Sequence, residues 1–202
     1  WCVQKSVILG WNLLSLAAML KSQFVPALIQ HGADYDVKNL QNDTAIDILF
    51  AKQDFQLLHN LLNLTGAEQI MPKKTRKKIY HSIIKASNAR DAKGKTLLEK
   101  ALQQDDKDAI TLYSRCGATI EQNYEDSLVQ AKTLLENSED AAYKQILVKL
   151  ILSAQPSACN ELITNKELLN ILDDHTLLDL TKAVKEAGGD GSFYQLLANL
   201  TD

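Results

Sequence analysis

The sequence predicts an all-α protein built from stacked helical repeats, and two observations carry this prediction. The first is composition: of the 202 residues, 46% are hydrophobic and 23% are charged, with eight glycines and three prolines. A chain with few breakers and many Leu, Lys, Gln, Glu and Ala residues favours helices over strands. The second observation is a short motif that recurs along the chain, which is typical of repeat architectures.

The recurring motif is a polar or glycine-containing turn followed by a short apolar helix. It begins at Gly10, Asn42 and Gly94, and a weaker copy begins at Asp174. In the first three copies a second helical stretch follows and then a Gly-Ala pair. These pairs are Gly32-Ala33, Gly66-Ala67 and Gly117-Ala118. One such unit cannot bury its apolar face alone, so the units are expected to stack.

Helix boundary signals support this division. Asn12, Thr44 and Thr96 each precede an apolar run and are predicted N-caps, and the glycine of each Gly-Ala pair is a predicted left-handed C-cap. Asn42 replaces a turn glycine, which is possible because asparagine tolerates a positive φ. The glycine-rich residues 188–191 are predicted to form a turn between two helices. Further helices are expected near residues 126–136, 141–152, 166–172, 177–187 and 193–200.

The motif resembles the ankyrin repeat, whose pattern is G-x-T-P-L-H-x-A-A, a turn, a second apolar helix and G-A-D. The first two copies start 32 residues apart, against an expected period of about 33. Residues 34–44 and 88–96 resemble the finger that joins two such repeats. The sequence departs from the pattern where Leu13, Ala45 and Leu97 replace the usual proline.

This resemblance implies an ankyrin-type solenoid with an inserted or truncated repeat and a C-terminal helical cap. The irregular segment is residues 71–88, because the step between the second and third Gly-Ala pairs is about half a repeat too long. Residues 1–125 are expected to form the degenerate repeats. Residues 126–202 are expected to form further helical repeats or the cap.

The resemblance also implies a function, which is binding to a partner protein through the repeat fingers and the concave face. Exposed finger residues are the candidate contacts: Tyr35, Lys38, Gln41, Arg90, Lys93 and Lys95. An alternative is the targeting or substrate-recruiting region of a larger bacterial effector enzyme that acts on host proteins, because degenerate repeats rich in Lys, Asn, Gln and Leu resemble those of injected effectors. A third hypothesis, an all-α enzyme domain, predicts a deep pocket with convergent ionisable groups.

A basic run is the most distinct functional signal. It contains Lys73, Lys74, Arg76, Lys77 and Lys78. Such clusters resemble a nuclear localisation signal, which would make an importin a partner. The alternative is a solvated helix start, because an apolar stripe follows the run, and binding to phosphate or to an acidic protein is also open. The expected location is therefore cytoplasmic or nuclear, within a host cell if the protein is a secreted bacterial effector.

Other motifs indicate no chemistry. Residues 89–96 nearly match a P-loop, but Ala89 replaces the first glycine and the preceding residues read as helix rather than strand. Three separated cysteines and four histidines show no metal-ligand spacing, and Cys116 has no neighbouring base. We therefore expect neither catalytic residues nor a metal or cofactor in this chain. The net charge of −3 is too small to indicate nucleic acid, no apolar run is long enough to predict a membrane span, and a start at Trp1 predicts a fragment.

Overall fold

The computed structural model describes residues 12–66, 71–121 and 125–201. In these ranges the protein is mostly helical and has no strand, as predicted for an all-α chain. The α-helices are α1 Leu13–Met19, α2 Val25–Gln30, α3 Ala45–Ala51, α4 Phe55–Gly66, α5 Lys73–Ser87, α6 Leu97–Gln104, α7 Lys107–Arg115, α8 Glu125–Asn137, α9 Ala141–Ala154, α10 Cys159–Leu162, α11 Lys166–Ile171, α12 Asp174–Ala183 and α13 Gly189–Thr201. A 3₁₀ turn, Pro156–Ala158, precedes α10.

Two compact units make up the chain. The first contains residues 1–96 and 115–118, and the second contains residues 97–114 and 119–202. The sequence predicts that the degenerate repeats end at residue 125. The division into these two units does not test where the repeats end, so this boundary stays a prediction.

In the first unit, successive helices pack in two rows. Helix α1 packs against α3 and α3 packs against α5, while α2 packs against α4 and α4 also packs against α5. Apolar side chains between the helices are fully buried, among them Leu49, Leu58, Leu61, Ile79 and Ile83. Ala18 is fully buried on α1, which packs against α3.

In the second unit, α8 packs against α6 and α9, and α9 packs against α12. The predicted helices of this half are present, although their ends differ by a few residues. The predicted turn at residues 188–191 is wrong, because a π-helical segment, Val184–Gly188, continues α12 directly into α13. Glycine permits a turn but does not require one, and Val184 in this segment is fully buried.

Three helix pairs share the same connecting turn. After α1, α3 and α6 the chain passes through one residue in the left-handed region, at Lys21 (φ 52°), Gln53 (φ 50°) and Asp105 (φ 52°). The next amide then bonds back to a carbonyl five residues earlier. These bonds run from Ser22 to Ala17 (2.8 Å), from Asp54 to Leu49 (3.4 Å) and from Asp106 to Ala101 (3.0 Å). This is the Schellman pattern that ends a helix and starts a new direction.

The predicted caps are largely confirmed. Asn12 accepts a hydrogen bond from the Ser15 amide at 2.6 Å, and Thr44 forms a capping box with Asp47. Gly32 and Gly117 have φ values of 88° and 80°, as expected for left-handed C-caps. The predicted cap at Gly66 is wrong, because this glycine is the last residue of α4 and does not adopt a positive φ. Glycine is compatible with helical dihedrals, so the sequence pattern alone could not decide this position.

Candidate binding surface

The first finger loop, residues 34–44, is held by one buried side chain. Asn39 Oδ1 accepts hydrogen bonds from the amides of Gln41 and Asp43, both at 2.9 Å. The Asn39 amide in turn donates to the Asp43 carbonyl at 2.9 Å, which closes the loop. Asn42 adopts φ 69°, so the predicted substitution of asparagine for a turn glycine is confirmed. The loop therefore keeps its shape without using the side chain at its tip.

The second finger loop, residues 88–96, has the same hydrogen-bond pattern, shifted by 52 residues. We call this shared pattern the loop frame. Asp91 Oδ1 accepts from the amides of Lys93 at 2.8 Å and Lys95 at 2.9 Å. The Asp91 amide donates to the Lys95 carbonyl at 3.0 Å, and Gly94 has φ 77°. Two sequence-distant loops thus present the same backbone geometry, and Asp91 takes the place of Asn39.

Two of the predicted contact residues brace the loops. Lys38 Nζ donates to Asn42 Oδ1 at 2.9 Å, and Arg90 Nη1 donates to the Gly94 carbonyl, four residues on in both cases. Their head groups are therefore engaged within the loop, although both residues are exposed. The structure gives Lys38 and Arg90 a local structural role that the sequence did not indicate.

The remaining predicted contacts differ in exposure. Gln41 and Lys93 occupy the same position in the two loops and are exposed, while Tyr35 and Lys95 are half-buried. Partial burial, with the charges of Asp36 and Asp34, raises the pKa of Tyr35 above its usual value of 10.0. The Tyr35 hydroxyl is consequently a neutral hydrogen-bond donor at physiological pH.

Leu40 is a candidate that sequence reasoning missed. It lies between Asn39 and Gln41 at the tip of the first loop, and 76% of its surface is exposed. Its counterpart in the second loop is Ala92. The signal that could have identified it was a single leucine among polar finger residues. A side chain at a loop tip cannot be buried against its own loop, so an apolar residue there stays exposed.

The basic run lies on the first turns of α5, as the solvated-helix interpretation predicts. Lys73, Lys74, Lys77 and Lys78 are exposed, whereas Arg76 is half-buried. Arg76 Nη1 donates to the Thr65 carbonyl at the end of α4, at 3.4 Å. Interpretation of the run as a nuclear localisation signal stays a prediction.

Two shallow grooves border the basic run, and both lie within the first unit. One, of about 450 Å³, is lined by Lys74, Lys77, Lys78, His81, Ser82 and by Asp36 from the start of the first finger. The other, of about 190 Å³, is lined by Lys73, Arg76, Lys77, Tyr80 and Thr65. The fold thus brings the basic run next to the finger loop, although 37 residues separate Asp36 from Lys73 in the sequence.

The near-match to a P-loop lies in the second finger. Helix α5 precedes it, not a strand, and the Asp91 carboxylate occupies the amides of Lys93 and Lys95. A phosphate would need those amides and would meet a negative charge there. This geometry supports a structural role for residues 89–96.

The described cysteines are buried. Burial raises the pKa of the Cys116 thiol to about 12, while the charge of Arg115 acts in the opposite direction. Burial also raises the pKa of Cys159. A thiol held protonated in this way is a poor nucleophile.

Within the part of the chain that the structure describes, no group of His, Cys, Asp or Glu side chains has the arrangement of a metal site. In the same ranges no helix combines the length and apolarity needed to cross a membrane. Comparison with known proteins identifies no relative: no family model matches, and neither a curated protein nor a solved structure gives a significant match.

Proposed function

We propose that the chain is an ankyrin-type repeat protein that binds a partner protein through its finger loops. The observation that carries this proposal is the shared frame of the two loops, built on Asn39 in one and Asp91 in the other. Two loops that repeat one hydrogen-bond pattern, each followed by a helix pair with a Schellman turn, support the proposal of repeated units with finger loops.

The loop frame supports a binding role because the residues that fix the loop backbone are not the residues exposed at its tip. Hydrogen bonds to the Asn39 and Asp91 side chains fix the backbone, so Leu40, Gln41 and Lys93 at the tips can vary without loss of the loop. Leu40 adds an exposed apolar side chain beside polar neighbours. An apolar anchor with a polar rim is the usual composition of a protein–protein contact.

Both grooves described above are shallow and open. A protein–protein module needs an extended surface, whereas an enzyme domain would need a deep site with convergent ionisable groups. The same surface would serve if the chain recruits targets for a larger effector enzyme.

The proposal is tested with a triple variant of the finger tips, Leu40→Ser, Gln41→Ala and Lys93→Ala. Partners are captured from a eukaryotic lysate, each is purified, and its affinity for the parent and the variant is measured by calorimetry. We expect the affinity to fall by about tenfold or more, because the three side chains together should stabilise the complex by more than about 1.4 kcal/mol.

A matched control is Leu178→Ser, on α12 of the second unit, which removes a leucine that is 52% exposed. This control should keep full affinity, and circular dichroism should show that both variants are folded. Equal affinity of the parent and the finger-tip variant for every purified partner would exclude the fingers as the binding surface.

A further inference from the structure

The exposed face of α5 carries a row of basic side chains that its own packing does not use. Ile79 and Ile83 are fully buried against the neighbouring helices of the first unit, and they fix which side of α5 faces solvent. Lys74, Lys78 and His81 follow one another on the solvent side at spacings of four and three residues, which places them in one line along the helix. Lys73 and Lys77 form a second line beside it.

These cations repel one another. Lys73 with Lys77 and Lys74 with Lys78 are like charges one helical turn apart, an arrangement that destabilises a helix. Their position in the first turns of α5 also opposes the helix dipole. No ion pair joins these four lysines to a carboxylate among residues 12–66, 71–121 and 125–201. An anionic ligand would therefore gain from all four charges at once.

The two grooves are neighbouring parts of one shallow surface on the exposed face of α5. Lys77 lines both grooves, and the surface runs from Asp36 across α5 to Thr65. Tyr80, which is 39% exposed, adds an aromatic ring in the second groove. A shallow, open surface with cations and one aromatic ring suits an extended chain better than a compact small molecule.

We propose that this face of α5 is a docking site for an acidic, extended segment of a partner protein. Its four lysines span residues 73–78, about 8 Å of helix, which about two to three residues of extended chain can cover. Acidic side chains border the surface, since Asp36 lines the first groove and Asp34 lies two residues before it.

A short cationic surface with an acidic edge fits a short acidic peptide better than a nucleic acid. Tight binding of a nucleic acid draws on many phosphate contacts along a continuous basic surface. The inference goes beyond the proposed finger contacts and does not depend on them, because neither groove is lined by Leu40, Gln41 or Lys93.

The experiment is fluorescence anisotropy with three labelled probes of about ten residues or nucleotides, long enough to cover the surface. The probes are a Glu-Gly repeat peptide, a Gln-Gly repeat peptide of equal length and a single-stranded oligothymidine. We expect the protein to bind the Glu-Gly peptide, to ignore the Gln-Gly peptide and to bind oligothymidine more weakly. Affinity for the acidic peptide should fall as salt is raised from about 0.05 to 0.2 M.

The variant that tests the site is Lys74→Gln, Lys77→Gln and Lys78→Gln, which keeps good helix formers on α5. Its control is Lys21→Gln, Lys52→Gln and Lys182→Gln, which makes the same change of charge at exposed positions outside the grooves. The α5 variant should lose about tenfold or more in affinity for the Glu-Gly peptide, because it removes three of the contacting charges. The control and the finger-tip variant should change it by less than about twofold.

Three results would overturn the inference. Tighter binding of oligothymidine would assign the face to nucleic acid, and absence of Glu-Gly binding would show that the cations are only solvated. An equal loss in the α5 variant and its control would show a response to net charge alone. Because the finger-tip variant is measured in the same assay, failure here is distinct from failure of the proposed finger contacts.

Discussion

Asp91 holds the second finger loop in the way that Asn39 holds the first, each through one Oδ1 atom that accepts two backbone amides at 2.8–2.9 Å. Asn39→Ala removes both hydrogen bonds from a buried position, so the variant should lose about 1–2 kcal/mol of unfolding free energy. Urea denaturation measures this loss. Hydrogen exchange should also accelerate at the amides of Gln41 and Asp43.

The matched control for this prediction is Asn39→Asp. It reproduces the side chain of the second loop and keeps the Oδ1 acceptor, so it should retain most of the stability that alanine loses. Exchange rates at Gln41 and Asp43 that are equal in the parent and in Asn39→Ala would show that the loop does not depend on this side chain.

Gly117 should tolerate substitution less well than Gly32. Both have a positive φ, so alanine at either position costs about 1–2 kcal/mol of backbone strain. A Cβ at Gly117 would also lie 2.7 Å from Ile84 Cγ1, whereas at Gly32 nothing lies within 4 Å. Gly117→Ala should therefore lower the midpoint of urea denaturation more than Gly32→Ala, and equal midpoints would contradict the contact between α5 and Gly117.

Glycine should stabilise the turn between α3 and α4. Gln53 is exposed and adopts φ 50° at the position of a Schellman turn that glycine favours. Gln53→Gly relieves this strain at some cost in chain entropy, with an expected net gain of about 0.5–1 kcal/mol. Gln56→Gly, inside α4, serves as the opposite control and should destabilise by about 1 kcal/mol. A loss of stability in Gln53→Gly would show that the turn has another backbone conformation.

Lys107 should lower the pKa of Asp140 in the second unit. Its ammonium group bonds to Asp140 Oδ2, and the Tyr143 amide donates to Asp140 Oδ1 at 3.1 Å, so the pKa lies below the usual value of 3.8. A lowered pKa means that the carboxylate stabilises the fold above the unfolded pKa. This contribution is lost as the pH falls below about 3.8 and through the folded-state pKa.

Lys107→Ala should raise the pKa of Asp140 in an NMR titration, because the first cause of its shift is removed. Asp173 is the internal control. Its pKa is lowered chiefly by hydrogen bonds from the Thr176 hydroxyl and amide, at 2.5 and 2.7 Å, and it should titrate unchanged. An unchanged Asp140 titration would contradict the Lys107 contact.

Cys116 should resist alkylation in the folded protein. Its thiol is fully buried and its pKa is raised to about 12, so the thiolate fraction at neutral pH is very small. Iodoacetamide should modify this residue only after denaturation, as mapped by peptide mass spectrometry. Rapid native-state labelling of Cys116 would show that the chain around Gly117 opens readily.

Sequence reasoning located helices more reliably than it ranked surface residues. N-caps at Asn12 and Thr44 follow from local hydrogen bonding, and local chemistry is readable from the sequence. Gly66 was assigned wrongly because glycine permits two outcomes and tertiary context decides between them. The sequence places Lys38 and Arg90 in the finger loops, but whether such a side chain points outward or bonds to its own loop depends on the folded backbone.

The anchoring of α5 has a consequence for the order in which the chain can fold. Ser87 Oγ donates to the Cys116 carbonyl at 3.2 Å, and Asn88 Nδ2 donates to the Gly117 carbonyl at 3.0 Å, each spanning 29 residues. During synthesis α1 to α4 can begin to pack as they emerge from the ribosome, since α1 lies against α3 and α2 against α4, but α3 and α4 complete their packing only when α5 is added. Helix α5 can pack against α3 and α4 as soon as it is made, but its C-terminal end is anchored to Cys116 and Gly117 only after those residues have been added.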